Sequence, residues 1–186
     1  EDKWILSKYN DVVKSVTENL DKFELGIALS NLYDFIWENF CDWYIELVKP
    51  RLFDKENPTG KTAQYVLTYV LSNTMKLLHP FMPFITEEIW QHLPHEGESI
   101  MISEWPEYDE KLNFPKDVES MELIMQSISA IRNRRAEMNV PPSKKAKVII
   151  VTDKTDVFKQ GTAFFEKLAS ASEAVVQTDK SGISDN

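Results

Sequence analysis

Apolar residues recur at three- and four-residue spacing from the N-terminus to about residue 138, a pattern that predicts helices. The stripe of the first helix consists of Trp4, Ile5, Tyr9, Val12, Val13, Val16 and Leu20. Asp21 followed by Glu24 is a capping-box pattern, which predicts the start of a second helix. That helix should end near Lys49 because Pro50 follows, and its roughly 27 residues would span about 40 Å. Since it is apolar around most of its circumference, we expect it at the centre of a bundle.

Three further helices are predicted over Thr62 to Leu78, Pro83 to Leu93 and Lys116 to Met138, with a short strand at Ile100 to Ile102. The residues of the third helix expected to face inward are Tyr65, Val66, Tyr69, Val70 and Leu77. The stripe of the fifth helix consists of Met121, Ile124, Met125, Ile128 and Ile131. Asn139, just before two prolines, should end that helix.

Beyond Pro141 and Pro142 the pattern changes from helical to mixed. The β-branched run AKVIIVT is followed by the amphipathic stretch DVFKQGTAFFEKLAS and the short run AVVQ. This order suggests a small β-α-β unit with a right-handed crossover, although parallel pairing of its strands stays open. The fold class is a mainly α helix bundle with a small C-terminal β-α-β appendage. We expect the bundle over residues 1–142, the appendage over 143–178 and a polar tail over 179–186.

The charge of the chain is acidic but unevenly spread. The formal net charge is −9, with 42% hydrophobic and 27% charged residues, which is ordinary for a soluble globular protein. Residues 87–119 are rich in acids, whereas Arg132 to Lys147 carries six basic residues against the single acid Glu137. Cys41 is the only cysteine, so we expect no internal disulfide, no thiolate zinc cluster and a reducing, cytoplasmic setting. No apolar run reaches membrane-spanning length, and we expect the chain to be a fragment of a larger protein.

The stretch LLHPFMPFITEEIW places His79, Glu87 and Glu88 beside two prolines, which raises the question of a metal or acid–base site. Pro80 should end one helix, and Pro83 should begin the next. A zinc site would need a second histidine or a cysteine at helical spacing from the first, and the sequence has none there. We therefore interpret the stretch as a structural corner between two helices.

Three segments offer contacts for phosphate. NPTGKT ends like a phosphate-binding loop, but Lys55 stands where that loop needs a glycine, so Lys61 is an ordinary phosphate candidate. In FCDWYIELVKPRLF, Lys49 and Arg51 flank a proline at a helix end, from which they either reach a phosphate or are simply solvated. The basic run AIRNRRAEMNVPPSKKAK suits a strand of phosphates, although its arginines also favour the negative end of a helix.

Four stretches of the chain resemble the anticodon-binding domain of bacterial valyl-tRNA synthetases. They are EDKWILSKYN, FCDWYIELVKPRLF, LLHPFMPFITEEIWQHLP and AIRNRRAEMNVPPSKKAKVIIV. They occur in the family's order, and the resemblance runs from about Glu1 to the second short strand, which is nearly the whole chain. The proline corner is shared among class I synthetases, whereas the aromatic stretch ending in KPRL points to the valine enzyme. Neither the HIGH nor the KMSKS signature occurs, so the resemblance implies a part without ligase or editing activity of its own.

The resemblance implies that this part recognises tRNA, with the DKWILSK segment near the anticodon pocket. Sequence-specific RNA readers favour unstacked loops, which they bind by stacking and by hydrogen bonds to base edges. For the aromatic pair Trp43 and Tyr44, the spacing favours core packing over stacking. The candidate tRNA-binding residues are Lys3, Trp4, Lys8, Trp43, Lys49, Arg51, Lys61, Arg132, Arg135, Lys144 and Lys145. No catalytic or metal-binding residue is expected.

The implied parent enzyme joins valine to its tRNA with ATP and magnesium, while this part needs no cofactor. Its partners would be the tRNA, through the anticodon loop, and the catalytic domain of the same chain, in a monomeric protein without membrane association. Part of the anticodon pocket is expected upstream of Glu1. Two alternatives stay open. One is a helical interaction module that braces the catalytic domain with little RNA affinity, and the other is the equivalent domain of an isoleucyl or leucyl enzyme.

Overall fold

A computed structural model describes residues 1–182 of the chain, so the last four residues of the expected polar tail lie outside the described residues. Contacts divide the chain into two compact units, Glu1–Val118 and Glu119–Asn186, which we call the N-terminal and the C-terminal unit. Over residues 1–182, no helix combines the length and the apolar character needed to cross a membrane.

The N-terminal unit is built of helices. They are α1 (Asp2–Asp21), α2 (Leu25–Asp34), α3 (Glu46–Phe53), α4 (Gly60–Leu78) and α5 (Pro83–Gln91). A π-helical stretch, Phe35–Ile45, joins α2 to α3, and two 3-10 turns, Ile100–Ile102 and Glu110–Leu112, follow α5. Helix α1 packs against α2, the π-helical stretch and α4, and α4 also packs against α3 and α5. The predicted helix bundle is confirmed.

The core of this bundle follows the apolar stripe predicted for α1. Its largest fully buried side chains are Trp4, Ile5, Tyr9, Val13, Leu32, Phe35, Tyr44, Leu47, Leu77 and Trp90. Hydrogen bonds from two α1 side chains hold the segment around Asp109 and Leu112 against α1. The hydroxyl of Ser7 donates to the Leu112 carbonyl at 2.9 Å, and the Asn10 side chain both donates to and accepts from the backbone of Asp109 at 2.9 Å. Buried polar groups of this kind fix how the chain returns over the helix because leaving them unpaired is costly.

The predicted start of the second helix is wrong. Helix α1 continues to Asp21, Phe23 has a left-handed conformation with φ of 58°, and α2 begins at Leu25. The amide of Glu24 donates to the Asn19 carbonyl at 2.8 Å, so the end of α1 is capped by backbone groups and not by the predicted box. A left-handed residue just after a helix turns the chain out of the helical path. This end of α1 could not be predicted from the sequence because phenylalanine rarely adopts the left-handed conformation.

The predicted end of that helix is also wrong, because the chain stays helical through Pro50 as far as Phe53. A proline inside a helix removes one hydrogen bond and crowds the preceding turn. Leu47 and Val48 are buried in the same helix, and Arg51 is held by ion pairs, so tertiary contacts offset that loss.

Helix α2 lies at the surface, so the prediction of a central helix is wrong for the first part of the predicted segment. Its later part is in the core, where Phe35, Tyr44 and Leu47 are buried. In α2 only Ala28 and Leu32 are buried, on the side that faces α1. The exposed large apolar residues of this region are Phe23, Leu25, Ile27, Leu29, Tyr33 and Trp37, which we call the α2 apolar face. Periodicity alone cannot distinguish a central helix from one whose second apolar side stays open to solvent.

The predicted strand at Ile100–Ile102 is wrong, because these residues form a 3-10 turn. The Ser99 side chain accepts a hydrogen bond from the Met101 amide at 3.2 Å. Ile100 is buried with Met75 and Trp90, whereas Met101 and Ile102 are exposed. A run of three apolar residues has no preference between strand and turn unless a neighbouring strand pairs with it.

The C-terminal unit combines helices with a two-stranded parallel sheet. The long helix α6 (Pro115–Glu137) leads into β1 (Ala146–Val151), α7 (Thr155–Gln160), α8 (Thr162–Leu168) and β2 (Ala171–Gln177). The strands pair in parallel, with Lys147 opposite Glu173, and the two side chains form an ion pair at 3.1 Å. The predicted mainly α fold with a small α/β appendage is confirmed, with two short helices where one was expected.

The stripe of α6 is buried as predicted at Met121, Ile124 and Ile128. Asn139 has a φ of 54°, in keeping with its predicted role in ending the helix. Most of α6 belongs by its contacts to the C-terminal unit, whereas the sequence placed the start of the appendage after the prolines that follow this helix.

Candidate nucleic-acid interface

Among the candidates at the start of α1, Lys3 is at the surface. Its ammonium lies 3.7 Å from the Asp117 carboxylate and 5.5 Å from the centre of the Phe114 ring. Lys8 is half-buried. Trp4 has no exposed surface, so it is a core residue in this structure and is not accessible to a base. In the sequence, an aromatic residue beside a lysine could either stack on a base or pack in the core. Only the packing of α1 shows that Trp4 is in the core.

Arg51 is enclosed by acids of the same unit. Its guanidinium forms ion pairs with Glu1 at 2.5 Å and with Asp2 at 2.8 Å, and it donates to the side chain and the backbone of Thr59 at 2.9 Å each. Burial alone would lower the pKa of Arg51, but its hydrogen bonds to Asp2 and Glu1 raise that pKa overall. Arg51 therefore connects the end of α3 to the start of α1 through these ion pairs. The neighbouring candidate Lys49 pairs with Glu46.

The aromatic pair of the π-helical stretch is divided between core and surface. Tyr44 is fully buried, and its hydroxyl donates to Asp2 at 2.9 Å, which confirms the core-packing interpretation for this residue. Trp43 is half-buried. Burial, followed by the charge of Asp42, raises the pKa of the Cys41 thiol, so the thiol is protonated at neutral pH.

The proline corner is held by side-chain hydrogen bonds. Pro83 opens α5 as predicted. The His79 ring nitrogen lies 2.8 Å from the hydroxyl of Thr86, which is fully buried and donates to the Met82 carbonyl at 2.8 Å. Glu87 accepts hydrogen bonds from Gln91 and Ser99, both at 2.7 Å, and from the Ile100 amide at 3.2 Å. Histidine and glutamate therefore have structural partners, and in the part of the chain that the structure describes no three potential metal ligands gather.

One side of α4 borders an open groove of about 830 Å³, which we call the α4 groove. Two rows of residues at four-residue spacing line it, Lys61-Tyr65-Tyr69-Asn73 and Gln64-Thr68-Ser72-Lys76. The opposite wall is formed by Trp90 and by the segment around His95, Glu96 and Glu104. The groove brings the candidate Lys61 together with amide, hydroxyl and aromatic groups that the sequence analysis did not assign to a site.

Tyr65 is the residue on which the sequence analysis was wrong in this helix. It was expected to face inward, yet its side chain is 71% exposed, while its neighbour Val66 is buried. Tyr65 and Val66 both fit a helical period of apolar residues, so the period alone does not show which of the two is buried. The eight polar and aromatic groups in two rows were the signal that could have identified this face, because residues four apart share one side of a helix.

The basic run lies in the C-terminal unit, where two of its side chains donate hydrogen bonds to backbone carbonyls. Arg132 donates to the Leu168 carbonyl at 2.6 Å, and Arg135 donates to the carbonyls of Pro141 and Lys144. A second cavity, of about 490 Å³, is lined by Arg132, Arg135 and Lys167 together with small and apolar residues. The candidates Lys144 and Lys145 are exposed. The arrangement offers positive charge to an anion such as a backbone phosphate.

Comparison with known proteins connects these surfaces to a family. The family described as "Anticodon-binding domain of tRNA ligase" matches residues 2–150. The chain is 52% identical to a valine–tRNA ligase of Clostridium perfringens, over 100% of the chain and 21% of that protein. It is 55% identical to the corresponding ligase of Carboxydothermus hydrogenoformans, over 81% of the chain and 17% of that protein. It is 48% identical to that of Bacillus anthracis, over 96% of the chain and 20% of that protein.

The chain thus spans about a fifth of the length of the curated relatives it matches, and the matched family is the anticodon-binding part and not the catalytic part. The resemblance seen in the sequence is confirmed. This chain belongs to the family of anticodon-binding domains of tRNA ligases.

Proposed function

We propose that this chain is the tRNA-recognising part of a valine–tRNA ligase and binds the anticodon arm of the valine tRNA. The observation that carries the proposal is the family match over residues 2–150, together with relatives about half identical that are named valine–tRNA ligase. Those names favour the valine enzyme over an isoleucyl or leucyl relative. The parent would use ATP and magnesium in a catalytic domain of the same chain, as a cytoplasmic monomer.

The surface offers several contacts suited to a tRNA. Lys3, Lys61, Lys144 and Lys145 present ammonium groups at the surface, and the cavity beside Arg132 offers a further positive site. Phosphate contacts supply affinity but carry no sequence information, so discrimination among tRNAs must come from bases held in an unstacked loop.

A titration of the 186-residue chain with the valine tRNA tests the proposal, with the same tRNA carrying altered anticodon bases as the control. We expect tighter binding to the native anticodon at two salt concentrations, and affinity for both tRNAs that falls as salt rises. Equal affinity for native and altered anticodons would contradict anticodon reading by this chain.

The α2 apolar face favours a second candidate function, a module that braces the catalytic domain of the parent. Its members include Phe23, 88% exposed, and Trp37, 52% exposed. Large exposed apolar surfaces of soluble proteins mark interaction sites. In that case the chain alone would bind tRNA weakly, and the affinity would not depend on the anticodon.

A further inference from the structure

We propose that the α4 groove binds an unstacked nucleotide of single-stranded RNA, with the base stacked on Tyr65 and with a preference for bases that carry an exocyclic amino group. The inference deepens the proposed function, because it names a nucleotide-binding site on the tRNA-recognising part. It also predicts binding of short RNA without a tRNA, and can therefore be tested separately.

A continuous aromatic stack leads from the core of the bundle to this groove. Tyr9 is buried, and the Tyr69 ring meets it edge-on, with ring centres 5.7 Å apart and an interplanar angle of 78°. Tyr65 is stacked on Tyr69 with ring centres 6.3 Å apart and an angle of 17°. The inner rings hold Tyr65 in place, while most of its own surface is open to solvent. A positioned and exposed ring of this kind is the platform on which single-stranded nucleic acids stack their bases.

The charges around the groove match a base with its phosphates better than a bare anion. Lys61 and Lys76 lie 15 positions apart on α4, or about 22 Å along the helix axis, and Glu96 and Glu104 line the facing wall. The four charges cancel, so the groove as a whole does not attract a free phosphate strongly. Lys61 lies one helical turn from Tyr65 and suits a backbone phosphate beside the stacked base, whereas Lys76 suits a phosphate further along the strand. The carboxylates suit amino donors on the edge of the base.

The other polar groups extend this donor and acceptor set. Gln64 and Asn73 lie on the two rows of α4, and amides of this kind pair with base edges in a bidentate manner. The His95 ring is packed against Trp90, with ring centres 3.9 Å apart, and forms a wall opposite the helix. A volume of about 830 Å³ lies within the range typical of small-ligand sites. Cytosine, adenine and guanine carry an amino group on the pairing edge and uracil does not, which sets the expected order of preference.

The test uses the 186-residue chain and three RNA hexamers, oligo(C), oligo(A) and oligo(U), with binding followed by amide chemical shifts. We expect shifts confined to α4 and the segment around His95, with oligo(C) and oligo(A) bound more tightly than oligo(U). Tyr65→Ala should weaken hexamer binding by about tenfold, since the base loses the aromatic ring on which it stacks. Tyr33→Ala is the matched control, because Tyr33 is 59% exposed on the α2 apolar face and should leave hexamer affinity unchanged.

Hexamer shifts outside the groove, or equal losses of affinity in the two variants, would overturn the inference. Absence of hexamer binding while the tRNA still binds with anticodon preference would overturn it too, and would leave the proposed function standing. Hexamer binding in the groove without any tRNA preference would support the inference and contradict the proposed function.

Discussion

At Arg51, a side chain that the sequence nominates for phosphate is committed within the fold to two carboxylates. Its guanidinium is about one-sixth exposed and contacts Glu1 and Asp2, which Tyr44 joins from the core. A charge in such a place stabilises the fold only while its partners are present, because an unpaired charge away from water is costly. This enclosure was invisible in the sequence, since the residues that meet lie about fifty positions apart.

We expect Arg51→Met to lower the free energy of unfolding by about 2 kcal/mol, because it leaves Glu1 and Asp2 without their cation. Urea denaturation measures the change. The matched control is Lys49→Met, whose ammonium pairs with Glu46 at the half-exposed surface and should account for less than about 1 kcal/mol. Equal losses in the two variants would show that Arg51 is no more than a surface cation.

Glu87 should make the stability of the corner depend on pH. Hydrogen bonds from Gln91 and then Ser99 lower the pKa of Glu87 below its ordinary value of 4.5. A carboxyl with a lowered pKa in the folded state stabilises above its unfolded pKa, and this contribution is lost as pH falls through the folded pKa. Glu87→Gln should therefore lower the free energy of unfolding at neutral pH. The difference in that free energy between the variant and the unmodified chain should shrink below pH 4.5.

Denaturation of both proteins at several pH values tests this expectation. Glu88→Gln is the control on the same helix, because Glu88 is 73% exposed and lies 3.9 Å from His92 at the surface. It should change stability little at any pH. A difference for Glu87→Gln that grows toward low pH would contradict the assigned hydrogen bonds.

At the scale of helices, the junction between α3 and α4 depends on a close backbone approach. A Cβ added at Gly60, the first residue of α4, would lie 2.9 Å from the Arg51 carbonyl oxygen. Backbone cannot rotate away as a side chain can, so Gly60→Ala should destabilise by about 1–3 kcal/mol. Gly26, inside α2, has no atom within 4 Å of such a Cβ.

Gly26→Ala should therefore stabilise the chain slightly, by up to about 1 kcal/mol, because alanine is the better helix former. Thermal or urea unfolding of the two variants side by side checks the opposite signs. A destabilising Gly26→Ala, or a neutral Gly60→Ala, would contradict the packing described for these two glycines.

The features of the helices that were predicted correctly are those determined by residues close together in the sequence. The proline that begins α5, the asparagine after α6 and the single apolar stripe of α1 are chemical features of neighbouring residues, so the sequence was sufficient for them. The environment of α2 was not predictable, because an apolar side chain does not specify which surface covers it. The same reason applies to the candidate interface. Lys61 was identified from its loop, whereas the exposure of Tyr65 and the burial of Trp4 depend on how helices pack.

At the scale of the whole chain, two compact units imply that damage in one need not spread to the other. Phe165 is fully buried in the C-terminal unit, and its removal should cost about 3–5 kcal/mol there. We expect Phe165→Ala to raise amide hydrogen exchange mainly within residues 119–182 and to leave α1 and α4 protected. Val70→Ala, at a fully buried position of α4, is the reciprocal control. Equal loss of protection in both units would show that they unfold together.

The enclosure of Arg51 also bears on what happens when the chain is cut. Phe53, the last residue of α3, is 79% exposed and is followed by a mostly exposed loop that leads to Thr59, so it is an accessible target for chymotrypsin. The two hydrogen bonds from Arg51 to Thr59 connect the two sides of this bond, whereas the ion pairs to α1 lie within the N-terminal fragment and hold the guanidinium in position. A protein nicked after Phe53 should therefore migrate as two fragments in a denaturing gel and elute as one particle under native conditions. The fragments of nicked Arg51→Met should separate more readily. Their separation after proteolysis therefore measures how strongly the contacts of Arg51 hold the two parts of the bundle together.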